Sequence, residues 1–499
     1  MRVNFFYEFL IFITFLLVSF LIVQSFGYTM LDDGWRHLAM ALYPNEIQSW
    51  GDIYLKSLFS DYDPWFTWHL FLRFIGEIFG DNNIVLITNT IIYFLLSLWY
   101  YLVFQKFLTI NKPLSILLSC LLPLLSTRYL FLRPDAFSGL FVLYSIFFSS
   151  WFFVFVISIF YAYIYYVYWF FMGFIGYVKL MTKEYKAMFA IGVATLIGTI
   201  FYLYNDLDGF VHITKLILSN DSLRENYQVG EGKPYILPLS LVNTYGSSLI
   251  LGFLMLISIL IFFVFKPQNK ILQYIVLLFP LMIIQVRFFI ILQPLIIVFS
   301  IYLVYQSYVK IINTSFLLFV EDITIKIKTF INERTLFGNL NPRIYKLIIA
   351  LVIVVYFLNI YYTKQGLYTE VVQEKLDNIS FINSDEFNNK NIFLTSWDTD
   401  KYMMVYKNPT SKYFPSCALG WVDLDKDYKD DYFKLLMNTT ALTPEEFFEL
   451  VIEHDADYIM IPPSGTNTSI NFDTSSLSQY GYIFYKIING YVIFKKIDS

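Results

Sequence analysis

Two aspartates, an arginine and a histidine fall within six residues at Asp32-Asp33-Gly34-Trp35-Arg36-His37. Paired carboxylates can hold a divalent metal, take a proton as a general base, or cap a helix. If the segment is helical, Asp32 shares a face with Arg36 and Asp33 with His37, at i,i+4 spacing. The same stretch, 27–81, also carries Asp61, Asp63, Trp65, Trp68 and His69, so it holds two of the chain's four histidines. Trp rings offer an apolar face with a polar edge and sit well at a membrane interface. The competing structural roles are an N-cap, an Asp32–Arg36 ion pair and an aromatic belt.

Three further groups follow. Arg128, Arg133, Pro134 and Asp135 lie in a short turn between two apolar segments. Arginine suits phosphate through its fork of donors, while snorkelling and capping are the structural alternatives. Arg287, in Gln285-Val286-Arg287-Phe288, stands at another tight turn with no acid nearby in sequence, which suggests a phosphate or headgroup ligand, or a pairing with an acid of 27–81. The 205–243 segment carries Asp206, Asp208, His212, Arg224, Glu225 and Glu231 among glycines and reads as a solvated loop or a lid.

These groups need a scaffold, and the composition says which kind. Of 499 residues, 57% are hydrophobic and only 15% charged, and the mean hydropathy is +0.56. Such values predict a polytopic α-helical membrane protein. About eleven transmembrane helices are expected, near 5–26, 82–104, 113–128, 135–151, 152–166, 168–181, 187–204, 244–265, 271–286, 289–309 and 344–362. The first reads as an uncleaved signal anchor with Arg2 in the cytoplasm. Lysines 106, 112, 179, 183, 186, 266 and 270 then fall on the cytoplasmic side, as does the basic 310–343 connection, while the acid-rich 27–81 loop falls outside. The 315–335 stretch reads as an amphipathic segment along the inner face.

After residue 362 the chain turns polar, and 363–499 reads as a small extracytoplasmic α/β domain. Asn391–Trp397 is expected as a strand. Thr443 caps a helix opened by Pro444 and running to about His454. Asp457–Pro462 follows as a buried strand, and a hairpin turns at Asn489-Gly490. Cys120 and Cys417 lie in regions expected on different sides of that boundary, so no disulfide is expected. The net charge of -4 suggests no nucleic-acid partner. No GxxxxGK[ST], HExxH, CxxC cluster or GxSxG occurs, which argues against an ATP-driven pump, a zincin and a serine hydrolase.

The layout resembles the GT-C superfamily of polyprenyl-phosphate-dependent membrane glycosyltransferases, such as protein O-mannosyltransferases and the aminoarabinose transferases of lipid A. Leu31-Asp32-Asp33-Gly34-Trp35-Arg36-His37-Leu38 looks like the acidic motif those enzymes carry after their first span. Arg133-Pro134-Asp135 sits where a second acid often lies, and Arg287-Phe288 with Pro294 looks like their late Arg…Pro element. Leu442-Thr443-Pro444-Glu445-Glu446 and Ala456-Asp457-Tyr458-Ile459 resemble the tail domain of many members. The Trp-Trp-Asp-Tyr-Gly motif of N-glycosylating members is absent.

The resemblance implies transfer of a hexose or pentose from a polyprenyl-phosphate donor to an extracytoplasmic glycan, lipid or protein acceptor, in the plasma (inner) membrane. Asp33 would be the base or a ligand of Mg or Mn, with Asp32 as its alternate and Asp135 placing the acceptor or metal. Arg133, Arg287 and Arg128 would hold the phosphate, and Arg36, His37, Asp63 and His69 would line the substrate. A transporter or flippase, or a polymerase of lipid-linked glycans, is the rival reading. A transporter predicts internal repeats and midplane charges, and neither is evident.

Overall fold

Helix α1, Arg2–Phe26, rises about 37 Å at 1.5 Å per residue, which exceeds a bilayer's hydrocarbon core. It opens a chain that is mostly helical, with a small sheet at the C-terminus. The computed structural model describes residues 2–26, 34–43, 65–110, 112–130, 132–165, 167–205, 211, 247–267, 269–284, 288, 291–312, 374–395, 404, 406–414, 443–461 and 474–497. The expected span at 344–362, the 315–335 segment, Cys417, and the 205–243 loop apart from Asn205 and Val211 lie outside them.

After α1 come α2 Gly34–Leu42, α3 Phe66–Phe79, α4 Ile84–Val103, α5 Lys112–Leu121, α6 Asp135–Phe147, α7 Trp151–Ile164, α8 Tyr168–Met181, α9 Tyr185–Asn205, α10 Ser247–Phe265, α11 Lys270–Ile284 and α12 Gln293–Ile312. Three stretches are long and apolar enough to cross a membrane: Glu8–Ser25, Asp81–Leu108 and Tyr185–Tyr204. The other apolar helices are shorter in their described parts. The span expected at 113–128 is cut short. Only Lys112–Leu121 is α-helical, because Pro123 removes a donor and the chain tightens into 3-10 turns at Leu122–Leu125 and Thr127–Leu130.

Helix α1 packs along α4, α7 along α9, and α10 along α11. Two polar side chains inside bond the facing backbone. Trp99 Nε1 donates to the Leu143 carbonyl and Tyr144 Oη to the Leu95 carbonyl, each at 2.8 Å, which pins α4 to α6 from both sides. The helices share two polar ends. Lys112 pairs with Glu8 at 3.2 Å, so the α4–α5 connection lies at the start of α1. Lys106 and Lys179 donate to the carbonyls of Phe147 and Phe148, at the C-terminal end of α6. The other end of α6 begins at Asp135, about 20 Å away. Between the ends, α1, α9 and α10 present outward faces of Leu17, Leu21, Phe189, Leu196, Phe253 and Leu260, each more than half exposed.

The C-terminal sheet has the order β2-β1-β3-β5-β4, with β1 Asn391–Leu394, β2 Lys412–Phe414, β3 Tyr458–Ile461, β4 Tyr482–Ile488 and β5 Tyr491–Lys496. Strand β1 runs parallel to β2 and β3; β5 is antiparallel to both β3 and β4. Asn489 and Gly490 both adopt positive φ, the backbone that a two-residue hairpin turn demands. Helix α13, Pro444–Glu453, carries the expected Thr443 cap as a full capping box with Glu446. Its Phe447 and Val451 pack against Phe393 and Ile459 of the sheet. Each such buried side chain contributes about 1.5–3 kcal/mol. Strand β2 is the element the sequence pattern does not announce. Three residues are too few to show alternation, and parallel pairing with β1 supplies the missing signal.

Candidate functional site

Helix α2 lies within the protein rather than on its surface: Gly34 through Ala41 are all buried. Arg36 and His37 are 5% and 2% exposed, His69 3%, Arg133 8% and Asp135 5%. Ionisable groups this deep persist only where neighbouring groups compensate them. These five come from α2, α3 and the start of α6.

The His37 Nδ1 and His69 Nε2 atoms are 2.8 Å apart. One of them must donate and the other accept, so the pair carries at most one positive charge. Trp65 stands edge-on to His37 at 5.4 Å, and the Arg36 guanidinium lies 4.9 Å over the Trp65 ring. Trp65 and His69 are four residues apart, at the head of α3 and on one face, which is why both reach α2. Arg73, one turn further, donates to the Ala41 carbonyl at 3.1 Å and closes the end of α2. Trp68 is fully buried between Phe71 and Phe137, which fixes α3 against α6.

Asp135 occupies the first turn of α6, where the helix dipole favours a carboxylate. Arg133 Nε lies 3.9 Å from its Oδ2, a loose contact. Leu132 takes a left-handed backbone, φ 56°, in the turn that delivers Arg133 to this end of α6. Burial first, and then the charges of Arg36, His69 and Arg133, hold the His37 imidazole well below the usual histidine range. His37 is therefore neutral near pH 7, beside two guanidinium groups.

The structure thus gathers Arg36, His37, His69, Arg133 and Asp135 at one end of the helices. Asp32, Asp33, Asp63 and Arg287 lie outside the described residues. Arg128 has its backbone in the Thr127–Leu130 turn, and its side chain is outside them too. Trp35, Trp65 and Trp68, for which an aromatic belt is the structural alternative, are all buried. Sequence reasoning overlooked Arg73 and Tyr406. The first is a lone cation in an apolar helix, a signal that was available. The second comes from the C-terminal part, where its ring lies 5.0 Å from that of Trp35, and nothing local marks it. Burial, with Tyr43 and Asp81 nearby, raises the Tyr406 hydroxyl above the usual tyrosine range, so it stays protonated.

Among the described residues no three His, Cys, Asp or Glu side chains are grouped to hold a metal ion; Asp33, the ligand expected for Mg or Mn, is not among them. Scanned against protein-family models and curated proteins, the chain matches none.

Proposed function

We propose that the protein is a polytopic membrane glycosyltransferase, with about eleven transmembrane helices in 1–362 and an extracytoplasmic domain in 363–499, that moves a sugar from a polyprenyl-phosphate donor to an extracytoplasmic acceptor. The observation that carries this reading is the buried meeting of Arg36, Arg133 and Asp135 with the His37–His69 pair at one polar end of an apolar helical body. The broad exposed apolar faces of α1, α9 and α10 exceed what a water-soluble monomer tolerates and fit lipid contact. The lysine-rich end opposite the site fits the cytoplasmic side.

In the reaction, an acceptor oxygen attacks the anomeric carbon, and the carbon–oxygen bond to the phosphate breaks. The electron pair leaves on the phosphate oxygen, and the acceptor proton passes to a base. Arg133 and Arg36 neutralise the departing phosphate, with Arg287 and Arg128 as further candidates. Asp33 takes the proton or holds a divalent metal, with Asp32 as its alternate, and Asp135 orients the acceptor. His37 and His69 fix the wall beside them, and Asp63 lies in the same loop.

The test supplies a panel of radiolabelled polyprenyl-phosphate sugars to wild type, Asp33→Asn and Arg133→Gln, all checked for folding. Wild type releases or transfers sugar, and Arg133→Gln loses about 100-fold or more in turnover. Turnover by both variants equal to wild type, or no polyprenyl-phosphate sugar turned over by wild type, overturns the proposal.

A further inference from the structure

At the end of the helices opposite the site, three lysines gather around the α6–α7 turn, and two of them pair with one carboxylate. Lys106 lies in the π turn after α4, Lys179 in the last turn of α8, and Lys270 opens α11. Glu184, between α8 and α9, has both oxygens engaged. Its Oε2 accepts from Lys179 at 2.8 Å, and its Oε1 accepts from Lys270 at 2.9 Å and from Tyr274 Oη at 2.8 Å. Lys179 is fully buried and donates also to the Phe148 carbonyl at 2.9 Å, so its charge is compensated within the fold.

Lys106 and Lys270 remain at the outer edge. They flank the turn joining α6 to α7. The Lys106 ammonium sits 4.5 Å over the Phe147 ring and 3.4 Å from the Phe147 carbonyl, and Lys270 Nζ is 2.9 Å from Ser149 Oγ. An ammonium has three donors; Lys106 makes one long bond and Lys270 two, so each has capacity left. Among the described residues, Glu184 is the only carboxylate paired with any of the three. Lys106 and Lys270 carry like charge on one turn, and an anion between the two would relieve their repulsion. Two residues beyond Ser149, Trp151, Phe152 and Phe153 are each about half exposed at the start of α7. A basic pair beside outward aromatics is the arrangement that meets a phosphate at the edge of an apolar phase.

We propose that Lys106 and Lys270, across the Phe147–Ser149 turn, bind a phosphate group, supplied by an anionic lipid headgroup of the inner leaflet or by free phosphate. The lipid source rests on the membrane reading given above; the site itself does not rest on glycosyl transfer. The test is titration of the purified full chain in detergent with phosphatidylglycerol, phosphatidylcholine or inorganic phosphate, followed by native mass spectrometry and the thermal unfolding midpoint. Wild type is expected to retain phosphatidylglycerol over phosphatidylcholine, and Lys106→Gln to weaken that retention about tenfold. Lys106→Gln is the main variant because its side chain holds no ion pair of the fold. Lys270→Gln, which also loosens Glu184, is the second. An effect of inorganic phosphate equal to that of phosphatidylglycerol, lost in the same variants, assigns the site to free phosphate. Equal retention of both lipids without a phosphate effect, or a phosphatidylglycerol effect unchanged in both variants, overturns the proposal. No sugar donor enters the measurement, so its failure and that of the transferase reading are told apart.

Discussion

Acid should weaken this protein through His37, and the variant His37→Gln should show it. Gln keeps an amide able to bond His69 Nε2 but cannot titrate. In the unfolded chain a histidine titrates near 6.5, whereas burial first, then Arg36, His69 and Arg133, lower His37 in the folded protein. The unfolded state therefore binds the proton more readily. The contribution of His37 is complete above pH 6.5 and is lost as pH falls from there toward the folded value, by up to ~1.4 kcal/mol per unit. Integrating the unfolded titration alone, the loss between pH 6.5 and 5.5 is about 1 kcal/mol. The assay is denaturant unfolding in detergent, read by tryptophan fluorescence, at pH 7.5, 6.5 and 5.5. Subtracting His37→Gln from wild type removes the titration of groups that do not touch His37. The stability advantage of wild type should shrink by about 1 kcal/mol over the lower unit. A difference that stays constant, or widens on acidification, refutes the assignment of His37 as a buried neutral imidazole.

Other consequences follow from packing. Gly139→Ala would drive a methyl group into the Tyr129 ring and hydroxyl, which bonds the Ile291 carbonyl, and should cost about 1–3 kcal/mol in thermal or denaturant unfolding; an unchanged midpoint would mean that Tyr129 has room to move. Glu184→Gln leaves Lys179 and Lys270 without their shared carboxylate and should cost about 3 kcal/mol or more, read as lost thermal stability in detergent; a loss under 1 kcal/mol would show that water or another anion already compensates them. Thr443→Ala removes the acceptor of the Glu446 N–H and should loosen α13 by about 1 kcal/mol, seen as roughly fivefold faster hydrogen exchange across 444–453 in the full chain.

Legibility in this chain follows the range of the interaction that decides each feature. The Thr443–Glu446 cap and the Asn489-Gly490 turn are settled within four residues, and sequence alone places both. Hydropathy anticipates helices at ten of the eleven expected spans, whereas α3, Phe66–Phe79, falls in the 27–81 stretch expected as a loop. Their lengths are another matter. Pro123 ends α5 by a local rule that a sliding window averages away. The α6–α7 and α7–α8 turns lie at 148–150 and 165–167, inside a stretch so uniformly apolar that periodicity carries no signal.

The candidate site divides along the same line. Residue type alone singles out Arg36, His37, His69, Arg133 and Asp135, because charge in an apolar chain is rare and needs a reason. Their grouping depends on three separate helix faces and shows only in the fold. His37 bonds His69, 32 residues on, and no local spacing announces that pair. The lysines invert this lesson. In sequence they are seven scattered markers of orientation. In the fold, Lys179 and Lys270 pair with Glu184 and Lys106 lies on the same turn as Lys270, so scattered markers become a particular place, with Lys179 compensated inside and Lys106 and Lys270 at the edge. Orientation alone would be served by lysines anywhere in those connections, so a site at Lys106 and Lys270 is tested by moving the charge rather than deleting it. Adding Thr109→Lys to Lys106→Gln, on the same connection and three residues on, preserves the charge count and should not restore phosphate retention.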